Sequence, residues 1–209
     1  MAPQFANHLF SEVVTLFVIL DPVATLPIFL AVTAGLDRRK SLLVAFYALA
    51  VAFLVLLFFI VVGHGLLNAL HIPMESFQMA GSLVLLLFGL RMVLGKVMED
   101  AASLPPETSL LHRAVFPLAL PGVAGAGAIL TVVMLTDNRV RTLTEQATTT
   151  GILLFCMVLL FGLFAAAGLI FRFLGKPGVE IVSRVFGLIL TSIAVTGMVT
   201  AIKLSFGLA

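Results

Sequence analysis

One apolar stretch, residues 9–32, contains an aspartate and two prolines near its middle. Its length is typical of a membrane-spanning helix, since about 20 apolar residues cross a bilayer. A carboxylate such as Asp21 is costly in hydrocarbon, and a proline inside a helix frees a backbone carbonyl. Both are tolerated at membrane depth only where they are buried in protein or line a cavity. We therefore expect a broken helix that faces a central cavity.

The composition of the whole chain is that of a membrane protein. Of its 209 residues, 61% are hydrophobic and 11% are charged, whereas soluble domains carry roughly 25% charged residues. The net charge of +2 is too small to suggest nucleic-acid binding. The metalloprotease pattern His-Glu-x-x-His is absent, and only one carboxylate lies deep in an apolar stretch. We predict no enzyme activity, no metal and no cofactor.

Six apolar stretches predict an all-α protein with six transmembrane helices. The second is expected to end at Gly63-His64-Gly65. The approximate bounds of the six stretches are 9–34, 42–62, 77–94, 114–135, 151–173 and 181–202.

The distribution of Lys and Arg among the connections predicts the orientation in the membrane. Cations on the more basic side are Arg38, Arg39, Lys40, Arg91, Lys96, Arg113, Arg172, Lys176 and Arg184. The other side receives Arg139, Arg141 and Lys203. Because basic loops stay in the cytoplasm, we expect both termini outside the bacterial inner membrane.

A polar connection at residues 97–112 divides the chain into two halves, 1–96 and 113–209, with three predicted spans each. An odd number of spans requires the second half to cross the membrane in the opposite sense. Leu20-Asp21-Pro22 of the first half resembles Leu120-Pro121-Gly122 of the second. Paired interrupted helices in an inverted repeat indicate a transporter's binding site at the midplane.

Both interruptions carry groups that suit a small zwitterion. Asp21-Pro22 is typical of a helix start, with Asp as the N-cap and Pro at the first helical position. Residues 117–127 contain two prolines and three glycines, so a second half-helix is expected to begin near Gly125. The amides at two helix starts favour a carboxylate, and Asp21 favours an ammonium group or a proton. In the alternative interpretation Asp21 is only a cap and the glycines only pack.

The candidate site for substrate and proton joins both interruptions to two hydroxyls of the last span. We expect Glu12 to be solvated at the membrane interface and Gln78 to hydrogen-bond across helices. Small residues around Gly162 and Gly168 in the fifth span favour helix packing at a subunit interface. Members of the candidate site are Asp21, Pro22, Ala24, Thr25, Pro27, Pro121, Gly122, Gly125, Gly127, Thr191 and Ser192.

Four segments, in order along nearly the whole chain, resemble the MarC family of bacterial inner-membrane proteins. They are DPVATLPIFL (21–30), FQMAGSLVLLLFGLRMVLG (77–95), PLALPGVAGAGAI (117–129) and SRVFGLILTSIAV (183–195). The resemblance implies six spans with both ends outside. It also implies SnatA-like, proton-driven transport of small neutral amino acids, within a group similar to the LysE-type exporters.

Two departures from the family pattern affect the expected substrate. The family reads Asp-Pro-x-Gly-Asn-x-Pro, and this chain has Ala24 and Thr25 in place of Gly and Asn. The family also reads Ala-Gly-Pro-Gly where this chain has Ala126 in place of Pro. Loss of the Asn amide removes one donor and one acceptor, although Thr25 keeps a hydroxyl.

Residues and resemblance together predict a secondary transporter. Its partners are a small-molecule substrate, most simply a neutral amino acid, together with protons and the surrounding lipid bilayer. A homo-oligomer is left open. The competing interpretations are efflux of hydrophobic drugs, which requires a roomier cavity lined by aromatic residues, and a membrane protein that does not transport.

Overall fold

The computed structural model describes residues 2–103, 105, 107–136 and 142–207. These residues form an all-α structure without strands. The first seven helices are α1 (Ala2–Ile19), α2 (Pro22–Val32), α3 (Arg38–Ala69), α4 (Met74–Val93), α5 (Lys96–Ala102), α6 (Leu110–Arg113) and α7 (Ala126–Leu135). An irregular segment, Ala114–Val123, joins α6 to α7. The last helical stretch, Leu143–Ser205, turns at Gly175 (φ 63°) into α8 (Thr144–Phe173) and α9 (Pro177–Ser205).

Four of the described helices, α3, α4, α8 and α9, are long and apolar enough to cross a membrane. Two bent pairs meet the same test as single broken spans. Phe10–Ile19 and Ala24–Val32 meet at 45°, and Leu110–Val123 and Ala126–Leu135 meet at 57°. If each bent pair crosses once, the described chain has six spans in the predicted order.

The predicted end of the second span at Gly63-His64-Gly65 is wrong, because α3 continues to Ala69. Gly63 serves close packing instead. A methyl group added to Gly63 would lie 2.7 Å from Cγ2 of Val133, so the glycine lets α3 approach α7. Small residues have this role wherever membrane helices pack closely.

The polar connection at residues 97–112 is partly helical and packed. Val97 of α5 is 4% exposed, and α5 contacts α2. Arg113 is not a surface cation: it is buried and donates hydrogen bonds to the carbonyl oxygens of Val32 and Pro105, each at 2.9 Å. A guanidinium at the end of α2 also matches the negative end of the helix dipole. The division into two repeats stays a prediction.

Helices α4 and α9 lie against each other along small residues. A methyl group on Gly89 would lie 3.0 Å from the carbonyl oxygen of Gly187, and Ser82 lies directly against Gly197. Gln78 Nε2 donates to the Gly197 carbonyl at 3.4 Å, as predicted for a hydrogen bond across helices.

Glu12 is not solvated, contrary to the prediction. Its side chain is 5% exposed and accepts a hydrogen bond from the Thr149 hydroxyl of α8. The reason is that α1 packs on α8, which covers this face of α1.

The bundle has two ends. We call one the basic end, formed by the end of α2, the start of α3, α5 and the turn at Gly175. The opposite end holds the short turn between α3 and α4 and the start of α8. The predicted outer cations Arg139 and Arg141 lie outside the described residues.

Candidate functional site between the two broken helices

The first interruption has the predicted form of a helix start. Asp21 is the N-cap of α2, with left-handed backbone (φ 49°, ψ 64°), and Pro22 is the first helical residue. The Asp21 carboxylate accepts a hydrogen bond from the amide of Ala24 at 3.1 Å. The Thr25 hydroxyl donates to the carbonyl oxygen of Asp21 at 2.9 Å. Two hydrogen bonds within residues 21–25 therefore stabilise the backbone at the break.

The second interruption is longer. Phe116 and Leu120 have extended backbone, with ψ of 127° and 122°. Each precedes a proline, and a residue before proline avoids the helical region because the ring clashes with it. Gly125 (ψ 172°) then caps α7, so the second half-helix begins where the sequence predicted.

The two interruptions meet. A methyl group added to Gly122 would lie 3.7 Å from Cγ2 of Thr25 and 3.9 Å from Cδ1 of Ile28. Both interruptions line one cavity of about 410 Å³, enclosed by the α1–α2 break, α4, the α7 break and α9. We call it the midplane cavity, because each break lies near the middle of its predicted span.

Most of the predicted site residues line this cavity, and three do not. Pro27 is buried inside α2. Thr191 and Ser192 donate to the carbonyl oxygens four residues earlier, at 2.8 and 3.0 Å, and Ser192 is exposed. Hydroxyls in apolar helices commonly satisfy themselves this way. The predicted residues at the cavity are Asp21, Pro22, Ala24, Thr25, Pro121, Gly122, Gly125 and Gly127.

The cavity also has lining residues that the sequence did not identify, among them Ser82, Phe88 and Phe186. A signal for part of this set exists in α4. Gly81, in the motif-bearing segment 77–95, starts a series spaced by three or four residues that continues through Leu85 and Phe88. Residues at that spacing share one helix face.

The two glycines at the start of α7 have different roles. A methyl group on Gly125 would lie 2.5 Å from the carbonyl oxygen of Pro121, so the break itself requires glycine there. Among the described residues, a methyl group on Gly127 would meet Cδ2 of Leu85 alone, at 3.6 Å, apart from the neighbouring backbone. Gly127 therefore leaves space in the cavity that a side chain could occupy without disturbing the backbone.

Charge in the midplane cavity is concentrated at two places. Asp21 is the one ionisable side chain among the described residues that line it. The first amides of α7 have no carbonyl four residues back within the helix, and their cap, Gly125, has no side chain to bond them. A carboxylate and a helix N-terminus thus line the same mainly apolar space, which can hold an ammonium group at one and a carboxylate at the other.

Comparison with known proteins decides the family. The family model of MarC family integral membrane proteins matches residues 6–206. The chain belongs to the MarC family. It is 33% identical to a UPF0056 membrane protein of Pyrococcus abyssi, over 93% of this chain and 94% of that one.

Two bacterial relatives show the same end-to-end similarity. A UPF0056 membrane protein of Buchnera aphidicola is 31% identical, over 92% of this chain and 90% of its own length. The UPF0056 inner membrane protein YhgN of Escherichia coli K12 is 27% identical, over 95% and 98%. No solved structure matches the chain.

Ala24 and Thr25 are the two residues expected to depart from the MarC pattern in the first interruption, and the structure shows what they contact. Both are almost fully buried, at 2% and 1% exposed. The Ala24 amide bonds the Asp21 carboxylate, and the Thr25 hydroxyl bonds the Asp21 carbonyl. The Thr25 hydroxyl therefore donates its hydrogen within the break.

Proposed function

We propose that the protein is a secondary transporter of small zwitterionic metabolites, most simply neutral amino acids, coupled to protons. The observation that carries the proposal is that the Asp21 carboxylate and the N-terminus of α7 line one cavity between two broken helices. Asp21 would carry the proton or hold the substrate's ammonium group. The amides at the start of α7 would receive the substrate's carboxylate.

The size and walls of the cavity support a small substrate. Drug-sized ligands occupy pockets of about 300–1,000 Å³, and the midplane cavity of about 410 Å³ is at the lower end. Walls such as Leu85, Ile189 and Ile193 suit a short apolar side chain.

In this proposal the basic end faces the cytoplasm and both termini face outside the inner membrane, as the positive-inside rule requires. The three-helix units 1–96 and 113–209 would move against each other and expose the cavity alternately to the two sides. The inverted relation of the two units is part of the proposal.

One observation favours a second function, the efflux of hydrophobic compounds. Three phenylalanines, Phe17, Phe88 and Phe186, line the midplane cavity and could pack against an aromatic or aliphatic ligand. This alternative gives Asp21 no necessary role, since an apolar ligand carries no ammonium group.

A thermal-shift screen of the purified protein against amino acids and hydrophobic drugs separates the two functions. We expect glycine or alanine to raise the unfolding temperature, because a ligand of the folded state stabilises it by mass action. Stabilisation by drugs alone would replace amino-acid transport with drug efflux. Stabilisation by neither would contradict both.

A matched pair of variants locates the binding site. Gly127→Val places an isopropyl group in the midplane cavity. In Gly162→Val on α8 the side chain enters open space, since among the described residues no atom outside the neighbouring backbone of α8 lies within 4 Å of an added methyl. We expect Gly127→Val to weaken alanine binding at least tenfold and Gly162→Val to leave it unchanged. Equal binding by the two variants would place the substrate elsewhere.

A further inference from the structure

A second and larger cavity, of about 1,190 Å³, lies at the basic end of the bundle between α2, α8 and α9. Along α8 it is bordered by Ala165, Ala167 and Gly168, and these small side chains leave the space open. It exceeds the roughly 300–1,000 Å³ of pockets for drug-sized ligands, so a small amino acid would leave it mostly empty.

The interior of this basic-end cavity is mainly apolar, and part of its α8 wall is exposed. Phe29 and Phe164, stacked with ring centroids 4.6 Å apart, form the part nearest the middle of the bundle. Leu169 and Phe171, 63% and 37% exposed, lie on the α8 wall nearer the basic end. Exposed apolar side chains on a membrane-spanning helix suit contact with lipid, so this wall of the cavity can pack against an acyl chain.

One buried hydroxyl in the wall has no hydrogen-bond partner among the described residues. Ser183 is 1% exposed and lines the cavity, and its Oγ forms no hydrogen bond within the part of the chain that is described. Four other hydroxyls of α9 donate to the carbonyl four residues earlier: Thr191, Ser192, Thr196 and Thr200. A buried polar group is normally hydrogen-bonded, so Ser183 is free to bond a ligand in the cavity.

The rim carries both signs of charge. Arg38, Arg184, Glu99 and Glu180 line it and are exposed. Among the described residues none of these four forms an ion pair; the one ion pair between described residues at this end joins Arg91 to Asp100. Two cations beside two anions complement a group that itself carries both charges.

We propose that the basic-end cavity is a binding site for a zwitterionic phospholipid. The arginines bind the phosphate, the glutamates bind the ammonium group, Ser183 hydrogen-bonds the glycerol or ester oxygens, and an acyl chain lies along the apolar wall toward Phe29. The site is distinct from the midplane cavity and does not depend on what that cavity transports.

The chain contains no tryptophan, so one introduced tryptophan reports on the cavity without background. Phe171→Trp places it on the cavity wall. Phe155→Trp is the matched control, because Phe155 lies on the same helix, is 52% exposed and is not among the residues that line the cavity. Each variant is reconstituted in vesicles of equal phosphatidylethanolamine and phosphatidylglycerol, with brominated chains on one lipid or the other. Bromine quenches a tryptophan that it contacts.

We expect brominated phosphatidylethanolamine to quench Phe171→Trp at least twofold more than brominated phosphatidylglycerol does. The two brominated lipids should quench the control, Phe155→Trp, to the same extent. Glu180→Gln, added to Phe171→Trp, should remove the preference, because the glutamates bind the ammonium group that only phosphatidylethanolamine carries. Ser183→Ala, added in the same way, should weaken quenching by both lipids, since both carry the ester oxygens that Ser183 bonds. In each case the unfolding temperature should stay within the range of the parent. Equal quenching of Phe171→Trp by the two lipids would overturn the proposal. So would relief of that quenching by free alanine, which would make the cavity an amino-acid site.

Discussion

Three substitutions of Asp21 separate its role as a helix cap from its proposed role in transport. Asn keeps an oxygen that can accept from the Ala24 amide, and it tolerates the left-handed backbone at φ 49°. Gly loses the acceptor but adopts that backbone freely. Ala loses the acceptor and is strained in the left-handed region.

The magnitudes follow from these two contributions. Loss of an N-cap to Ala costs about 1 kcal/mol of stability, while Gly at the same position costs only a few tenths. The left-handed conformation adds roughly 1 kcal/mol for Ala. We therefore expect Asp21→Asn to be as stable as the native protein, Asp21→Gly to be slightly less stable, and Asp21→Ala to lose about 2 kcal/mol.

The assay is alanine flux into proteoliposomes under an imposed pH gradient, beside thermal unfolding of the same preparations. If Asp21 carries the proton, all three variants lose the gradient-driven flux, including the stable Asn variant. Alanine counterflow without a gradient then distinguishes the two roles of Asp21, since a residue that only carries the proton is dispensable there. Flux at the native level in Asp21→Asn would refute the reasoning and leave Asp21 as a cap. So would fluxes of the three variants that fall in the same order as their stabilities.

Two further predictions concern the backbone of the broken helices. Gly125→Ala should destabilise the protein by about 1–3 kcal/mol in thermal unfolding, since the methyl group would lie 2.5 Å from the Pro121 carbonyl oxygen; Gly127→Ala is the control and should unfold like the native protein. Arg113→Met should cost roughly 3 kcal/mol, because it removes a buried guanidinium that bonds the carbonyls of Val32 and Pro105. The exposed Arg91→Met should change stability by less than about 1 kcal/mol, and equal losses in the two arginine variants would contradict the assigned role of Arg113.

Local chemistry made the two interruptions predictable. Asp21 before Pro22 specifies a helix start, and the structure has Asp21 as N-cap and Pro22 as the first residue of α2. Prolines and glycines from Pro117 to Gly127 exclude a continuous helix, and the structure breaks there. Such signals act within four residues of the chain, so a sequence displays them directly.

Glycine alone was a weaker signal. Gly63 was expected to end a helix, yet it packs α3 against α7 inside a helix that continues to Ala69. A glycine in an apolar stretch is compatible with both outcomes, and the partner that decides between them, Val133, lies far away in the sequence.

Side-chain orientation was the least predictable property. In a soluble helix the apolar face marks the core, but in a membrane helix lipid and core are both apolar, so the pattern does not separate them. Thr191 and Ser192 were therefore assigned to the site although they bond their own helix, and Glu12 was assigned to solvent although Thr149 covers it. Ser82 and Phe88 were missed for the same reason.

The sequence by itself determined that this chain is helical, that it belongs in a membrane, and where two of its helices break. The apolar composition is sufficient for the first two properties, because it decides whether a helix is stable in lipid or in water. The positions of proline and glycine are sufficient for the third, because these residues act on the local backbone. Only the tertiary structure decided that the two breaks share one cavity and that a second cavity opens at the basic end. The two cavities depend on which faces of helices distant in sequence contact each other. In helices that are apolar on all sides, the sequence pattern does not identify those faces.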